Sequence, residues 1–324
     1  MTSTVLILGA AGRIGQVLAT AFANAGWQVR AQARKALPEP LAHHPRVEAV
    51  RCDATDTEAL IPAARGASVV VNALNPLYTE WDRLVLLLAD AALSVARASG
   101  ALLMLPGNVY NFGRELPALL TAATAERGDT PKARIRIEVE ARLATAARDG
   151  VDSVVIRAGD FFGGPGSGTW LDMAMMTKLR RGRFVYPGNP EIAHAWAYLP
   201  DLAQAFVRVA EKRDVLRGHH RMHFSGHTLT GREFQAATES LIGRELRVGA
   251  LPWPLIRLGS PLVPMWRALL EMRYLWERPH ALDDVALRAL IGSVPHTPLA
   301  QALRTTLAGL NQPSPEFFSA SARS

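Results

Sequence analysis

The first half of the chain alternates short, unbroken apolar runs with longer segments whose apolar residues recur every three or four positions. Val5-Leu6-Ile7-Leu8 and Ser68-Val69-Val70-Val71 lack polar alternation, as strands do when both faces of a parallel sheet are covered. Gln28 to Ala33, Val47 to Arg51, Ala101 to Leu105 and Ser153 to Arg157 read as further strands. Helices are predicted between them, over Gly12 to Ala25, Thr55 to Arg65, Trp81 to Ser99 and Thr130 to Arg148. Gly26, Gly100 and Gly150 stand where C-caps belong, since glycine enters left-handed backbone without strain. This alternation implies right-handed crossovers and an α/β fold built on a doubly wound parallel Rossmann sheet.

After Arg157 the rhythm loosens into a Gly/Pro-rich loop, Gly163 to Gly168, followed by helical segments at about Asp201 to Lys212, Gly231 to Ile242 and Ala281 to Ile291. A smaller, mostly helical C-terminal substrate lobe is expected there. Residues 1–158 are assigned to the sheet domain, with 195–225 returning to it. Residues 159–194 and 226–312 are assigned to the lobe, and 313–324 to a polar, flexible tail.

Gly9-Ala10-Ala11-Gly12-Arg13-Ile14-Gly15 follows the first strand directly and opens the first helix. Glycines at this spacing permit a tight turn, close approach of backbone to a pyrophosphate, and close packing of helix on strand. The N–H groups and dipole of the helix start then face the phosphates. Gly9, Ala11, Gly12, Arg13, Ile14 and Gly15 are therefore candidate dinucleotide contacts; the alternative is a tight turn with no ligand.

From this loop onward the sequence resembles the extended branch of the short-chain dehydrogenase/reductases, the NAD-dependent epimerase/dehydratase-like group of the NAD(P)-binding Rossmann superfamily. Asp53 and Asp56 in Cys-Asp-Ala-Thr-Asp match that family's adenine-side Asp-x-x-Asp, and Asn72-Ala73-Leu74-Asn75-Pro76 falls where its fourth strand meets the cofactor. Val109-Tyr110, the Arg157 to Gly163 stretch and Tyr198-Leu199-Pro200-Asp201-Leu202-Ala203 continue the match, which covers roughly residues 4–215. The resemblance implies NAD(P) binding and adds Asp53, Ala54, Ala73, Leu74 and Asn75 to the cofactor contacts. It also implies the usual pairing of two long helices per subunit, here Trp81 to Ser99 and Thr130 to Arg148, in a homodimer.

NAD-preferring members carry an acidic residue at the end of the second strand. Here Ala33 takes that place, followed by Arg34 and Lys35, two cations that suit a 2′-phosphate. NADP(H) is expected in preference to NAD(H), with Arg34 as the discriminating contact.

The family's catalytic Ser/Thr and Tyr-x-x-x-Lys are replaced. Ungapped alignment puts Pro106 at the Ser/Thr position, Lys132 at the Tyr position and Arg136 at the Lys position. Arg136 retains charge and hydrogen-bonding capacity but stays protonated and relays no proton. Lys132 either acts as an acid with a depressed pKa, pairs with Glu138 or Glu140, or binds an anionic substrate. Asn108 and Tyr110 follow the fifth strand, and Tyr110 is the best replacement acid by chemical type. Tyr78, Trp81, Asp160, Phe161, Phe162 and Trp196 are candidate substrate contacts. His194, Trp196 and Tyr198 share one face if extended, which serves either a substrate wall or an aromatic cluster.

The expected function is NADP(H)-dependent oxidation or reduction at a carbonyl or related group of a small organic substrate. The alternatives are a non-catalytic NADP(H)-binding redox sensor or scaffold, and a sugar-nucleotide epimerase or dehydratase with tightly bound cofactor. Composition narrows the rest. The net charge of +7 invites nucleic acid, but the arginines are dispersed, so no nucleic-acid partner is expected. No apolar run reaches the roughly 18 residues of a bilayer span, so stable membrane insertion is not expected. Leu251 to Trp276, rich in Trp, Leu and Pro but carrying Arg257, Arg267 and Arg273, either touches a membrane surface or, in the plainer reading, forms buried helices around a substrate pocket. The single cysteine, Cys52, and the absence of a leader-like start point to a cytoplasmic setting. His43-His44 and His219-His220 read as loop residues without metal-ligand spacing, so no metal is expected.

Overall fold

A computed structural model describes residues 3–166 and 168–310; the expected tail at 313–324 lies outside them. Strands and helices alternate as β1 (Thr4–Leu8), α1 (Arg13–Asn24), β2 (Gln28–Ala33), α2 (Glu39–Ala42), β3 (Val47–Arg51), α3 (Thr57–Ala63), β4 (Val69–Asn72), α4 (Trp81–Ser99) and β5 (Leu102–Gly107). They continue as β6 (Leu119–Leu120), α5 (Pro131–Arg148), β7 (Ser153–Arg157), β8 (Asp160–Phe162), β9 (Arg183–Tyr186), β10 (Ala193–Tyr198), α6 (Leu199–Glu211) and β11 (His219–His223). The chain closes with β12 (His227–Thr230), α7 (Gly231–Ile242), β13 (Arg247–Ala250), α8 (Trp253–Gly259), α9 (Pro264–Glu271), β14 (Ala281–Leu282), α10 (Val285–Ile291) and α11 (Leu299–Leu310).

Seven parallel strands form the main sheet in the order β11-β7-β5-β4-β1-β2-β3. The order reverses between β1 and β4, which opens a crevice beyond their C-terminal ends. Both faces are covered. Val5, Ile7, Val69 and Val71 pack toward α1 and α6, whereas Leu6, Leu8, Val70, Leu103 and Leu105 pack toward α4 and α5. Two-sided burial is why these strands read as unbroken apolar runs.

His219 and His220 are a correction to the sequence reading. They lie in β11, paired in parallel with β7 through His219↔Ser153 to His223↔Arg157. At the edge of the sheet, His-His-Arg is tolerated because one side of the strand meets solvent, and the apolar pattern that marks central strands is lost. Residues 195–225 thus supply β11 to the main sheet and α6 beside α1.

The C-terminal region is helical, with small sheets threaded through it: β12-β10-β8, β13-β9 and β14-β6. Its core gathers Phe162, Tyr186, Trp196, Phe234 and Trp276. Helix α7 starts on a capping box, Thr230 Oγ1 accepting from Glu233 N–H and the Glu233 carboxylate accepting from Thr230 N–H. No described helix is long and apolar enough to cross a membrane.

Candidate active site

A cleft of about 990 Å³ runs along the crevice, from the loop after β1 to the α8–α9 hairpin. At one end Gly9 takes a left-handed φ of 79°, and a Cβ on Gly15 would lie 2.1 Å from the Gly9 carbonyl oxygen. Only glycines permit this turn. Gly12 is the N-cap of α1 and offers no side-chain acceptor, so the first-turn N–H groups of Arg13 and Ile14, both lining residues, lack a side-chain cap. This cradle fits a pyrophosphate.

Gln32 holds the cradle. Its Oε1 accepts from Gly9 N–H at 2.9 Å and its Nε2 donates to the Cys52 carbonyl at 2.7 Å, tying three strand ends together. Nothing in the sequence pattern marked it, because a polar residue inside a β-strand carries no periodic signal. Gly9, Ala11, Gly12, Arg13, Ile14, Arg34, Ala54, Ala73, Leu74 and Asn75 all line the cleft. Gly15 sits behind the loop, packed on Gly9 and Ala10. Asp53 is not a lining residue; its Oδ1 accepts from Thr55 N–H at 2.9 Å and Thr55 Oγ1 at 2.7 Å, which shapes the turn carrying Ala54.

Arg13 crosses the cleft mouth. Its guanidinium donates to the Gly163 carbonyl at 3.2 Å, to the Gly166 carbonyl, and to Asp172 Oδ2 at 2.5 Å. The phosphate loop is thereby bonded to the Gly-rich loop of the second lobe.

The opposite part of the cleft carries the chemistry. Tyr78, in the turn before α4, and Tyr110, in the turn after β5, place their hydroxyls 2.8 Å apart. Burial pushes the Tyr78 pKa up to about 12, against the hydrogen bond from Tyr110, and pushes Tyr110 well above its usual value. Both stay protonated at neutral pH. Trp81 packs against the two rings at 5.4 and 5.8 Å. Arg136, one turn into α5, lies over the Trp81 ring at 4.8 Å. Its Nε has no partner, and burial lowers its pKa. No carboxylate pairs with Arg136 among the described residues, so a positive charge is held open to the cleft.

Lys132 takes a different course. It is 3 % exposed, it does not line the cleft, and its Nζ lies 2.5 Å from Glu271 Oε2 on α9. Its partner is neither Glu138, which pairs with Arg142 at 2.8 Å, nor Glu140, which pairs with Arg157 at 2.5 Å. The sequence suggested both because they are near in the chain; Glu271 is 139 positions away. Asn108 lines the cleft, but its Oδ1 accepts from Tyr110 N–H at 3.1 Å, so it sets the turn that presents Tyr110. Pro106 lines the cleft at the Ser/Thr position and offers no hydroxyl.

Of the candidate substrate contacts, Tyr78, Trp81, Asp160 and Phe161 line the cleft. Asp160 Oδ2 bonds His194 Nε2 at 2.8 Å. Phe162 and Trp196 do not line it; each is essentially unexposed in the core of the second lobe, and His194 stacks on Trp276 at 4.2 Å. The alternating run His194, Trp196 and Tyr198 is an aromatic cluster. The remaining wall comes from Trp170, Met173 and the α8–α9 hairpin, within the segment read as pocket helices. Among the described residues, no group of three or more His, Cys, Asp or Glu is placed to hold a metal ion.

Residues 1–96, from β1 into α4, match the NmrA-like family. No curated protein sequence matches the chain significantly. Solved structures extend the likeness over nearly the whole length. UDP-glucose 4-epimerase from Brucella ovis, in complex with NAD, superposes with a TM-score of 0.75 at 18 % identity, covering 95 % of this chain and 98 % of the other. UDP-glucose-4-epimerase from Stenotrophomonas maltophila, with bound NAD and formylated UDP-arabinopyranose, gives 0.75 at 15 % identity over the same shares. The Bordetella bronchiseptica enzyme WbmH, in complex with NAD+, gives 0.73 at 17 % identity, over 96 % and 99 %. At such identities the likeness is one of fold: this chain has the Rossmann fold of the extended, epimerase/dehydratase-type short-chain dehydrogenase/reductases.

Proposed function

We propose that this protein is an NADP(H)-dependent oxidoreductase that reduces a carbonyl group of a small organic substrate. The observation that carries the reading is the single cleft joining the glycine cradle to the Tyr78–Tyr110 pair. A bound dihydronicotinamide would supply the hydride that the carbonyl carbon accepts. The protein's own residues handle the proton. One phenol donates to its neighbour, which leaves the other phenolic proton free for the substrate oxygen. That oxygen becomes a stronger base than either phenolate as the hydride arrives, so the proton moves to it and an alcohol forms; the tyrosine is reprotonated from water. Arg136 stabilises the phenolate that exists in between and has no carboxylate to neutralise it. Arg34, exposed on the adenine side of the cleft, pairs with a 2′-phosphate.

The structural relatives described as UDP-glucose epimerases support a second reading, sugar-nucleotide epimerisation with retained cofactor. The cleft supports it less. Beyond the cradle and the adenine-side Arg34, Arg136 is the lone lining cation among the described residues and Asp160 adds a carboxylate, a poor setting for a second diphosphate. A non-catalytic sensor remains the reading if turnover is absent.

Thermal unfolding with NAD+, NADH, NADP+ and NADPH tests the cofactor assignment. The expected result is selective stabilisation by the phosphorylated pair, with Arg34→Ala reducing that selectivity about tenfold, as for loss of one phosphate ion pair. Equal stabilisation by all four, unchanged in Arg34→Ala, would overturn the NADP(H) preference. No stabilisation of cofactor-free protein by any of them would overturn the oxidoreductase reading.

A further inference from the structure

The polar groups of the cleft are unevenly distributed. Gln32, Arg34, Asn72 and Asn75 belong to the nucleotide end; beyond it the polar side chains are Tyr78, Asn108, Tyr110, Arg136, Asp160 and Thr169, and the rest of that wall is hydrocarbon and aromatic. One side is α4, through Val85 and Leu88; the other is the α8–α9 hairpin, through Ile256, Val263 and Leu269.

Two of the four lining tryptophans, Trp81 and Trp253, add apolar faces without a free hydrogen-bond donor. Trp81 Nε1 donates to the Pro76 carbonyl at 3.2 Å, and Trp253 Nε1 donates to the Pro187 carbonyl at 2.5 Å. Both indole N–H groups are therefore occupied by backbone. Trp266 packs onto Gly259, where a Cβ would come within 2.3 Å of its ring, and this contact folds α9 back on α8. Outside the cleft the hairpin exposes Leu258 (79 %) and Leu262 (87 %), with Arg257 and Arg267 also turned to solvent. Hydrocarbon surface thus continues from the mouth to the tyrosine pair.

Resting on the carbonyl-reductase reading, we propose that the substrate is an apolar ketone or aldehyde with an extended hydrocarbon body. Its carbonyl sits at Tyr78 and Tyr110, and its body lies between α4 and the α8–α9 hairpin. The cleft selects by the area of hydrocarbon removed from water, which rises with each methylene. A phosphorylated or heavily hydroxylated substrate would leave most of its polar groups facing carbon, at a desolvation cost no contact in this wall offsets. The two-electron reduction balances: a bound dihydronicotinamide would supply hydride to the carbonyl carbon and be oxidised, and the tyrosine pair gives a proton to the oxygen, so that the alcohol forms.

The test is a binding series that needs no turnover. Quenching of tryptophan fluorescence is titrated with straight-chain 2-alkanones from butanone to decanone and, separately, with UDP-glucose, using cofactor-free protein. Kd is expected to fall about fourfold per added methylene, the value for full burial of each CH₂, and UDP-glucose is expected to bind more weakly than decanone. In Leu269→Asn the gain per methylene should shrink for the longer ketones. A Kd that varies less than about twofold across the series, or tighter binding of UDP-glucose, would overturn the apolar-substrate assignment even if NADPH stabilises the protein. A steep series in a protein that no nicotinamide nucleotide stabilises would keep the apolar site and overturn the reductase reading instead.

Discussion

The Nζ of Lys132 lies 2.5 Å from Oε2 of Glu271, and the Lys132 backbone N–H donates to Oε1 of the same carboxylate at 2.8 Å. One acidic side chain on α9 thus binds both the charge and the first turn of α5, so Lys132 ties the hairpin to the sheet domain.

Breaking that pair leaves a buried charge alone. Lys132→Ala or Glu271→Gln should each cost about 3 kcal/mol of stability, whereas Lys132→Met combined with Glu271→Leu should cost less than either. Urea unfolding of the three variants measures this. If Lys132→Ala unfolded like the wild type yet lost turnover, Lys132 would be a proton donor and the positioning role would be wrong.

The tyrosine pair makes the opposite prediction, with chemistry affected more than stability. Tyr78→Phe and Tyr110→Phe should each lower kcat about 10²-fold or more while cofactor binding holds. The two losses should not multiply in the double variant, because the hydroxyls act as one unit 2.8 Å apart. Single-turnover rates with saturating NADPH give the answer; unchanged rates in both single variants would remove the pair from the mechanism.

Three histidines set the acid limit. Burial lowers His280 to about 3, with His194 adding to the effect, and burial lowers His219 and His227 to about 4 each. Each is neutral when folded and protonates in the unfolded chain below about 6.5. Stability is therefore full above that pH and falls as pH drops from 6.5 toward 4. For His280, 1 % exposed, the loss between pH 7 and 5 is about 2 kcal/mol. Denaturant midpoints at pH 7 and 5 should show this decline, reduced in His280→Asn; midpoints that do not move would refute it.

How much of this was legible in the sequence varied with distance along the chain. Strands β2 and β7 and helices α4 and α7 fall on their expected bounds, because sheet burial and an amphipathic helix face each leave a local pattern; β3 does so too, although it is an edge strand without a buried residue. The phosphate loop was equally plain, since its glycines answer to backbone geometry within seven residues. Strand β11 was hidden because its place was settled by pairing with β7, 66 positions away at Ser153 and His219, and not by an apolar pattern.

The functional groups divide along the same line. That Lys132 and Arg136 stand one turn apart on a helix follows from helical spacing, and local order was enough to place both beside a nucleotide-binding crevice. Which of them faces the cleft was decided by long-range contacts. Glu271 pairs with the lysine at 2.5 Å and holds its Nζ over the Tyr78 ring at 5.2 Å, whereas Arg136 lies over the Trp81 ring with no carboxylate partner among the described residues. Phe161 and Phe162 are adjacent, yet only Phe161 lines the cleft, since successive strand residues point to opposite faces and packing on Phe234 took the other. Local periodicity determines which elements form and which residues share a face. Side-chain partners remote in sequence decide which buried charge is satisfied and which is left open for a ligand, because each satisfied charge must recover its own desolvation cost in the folded chain.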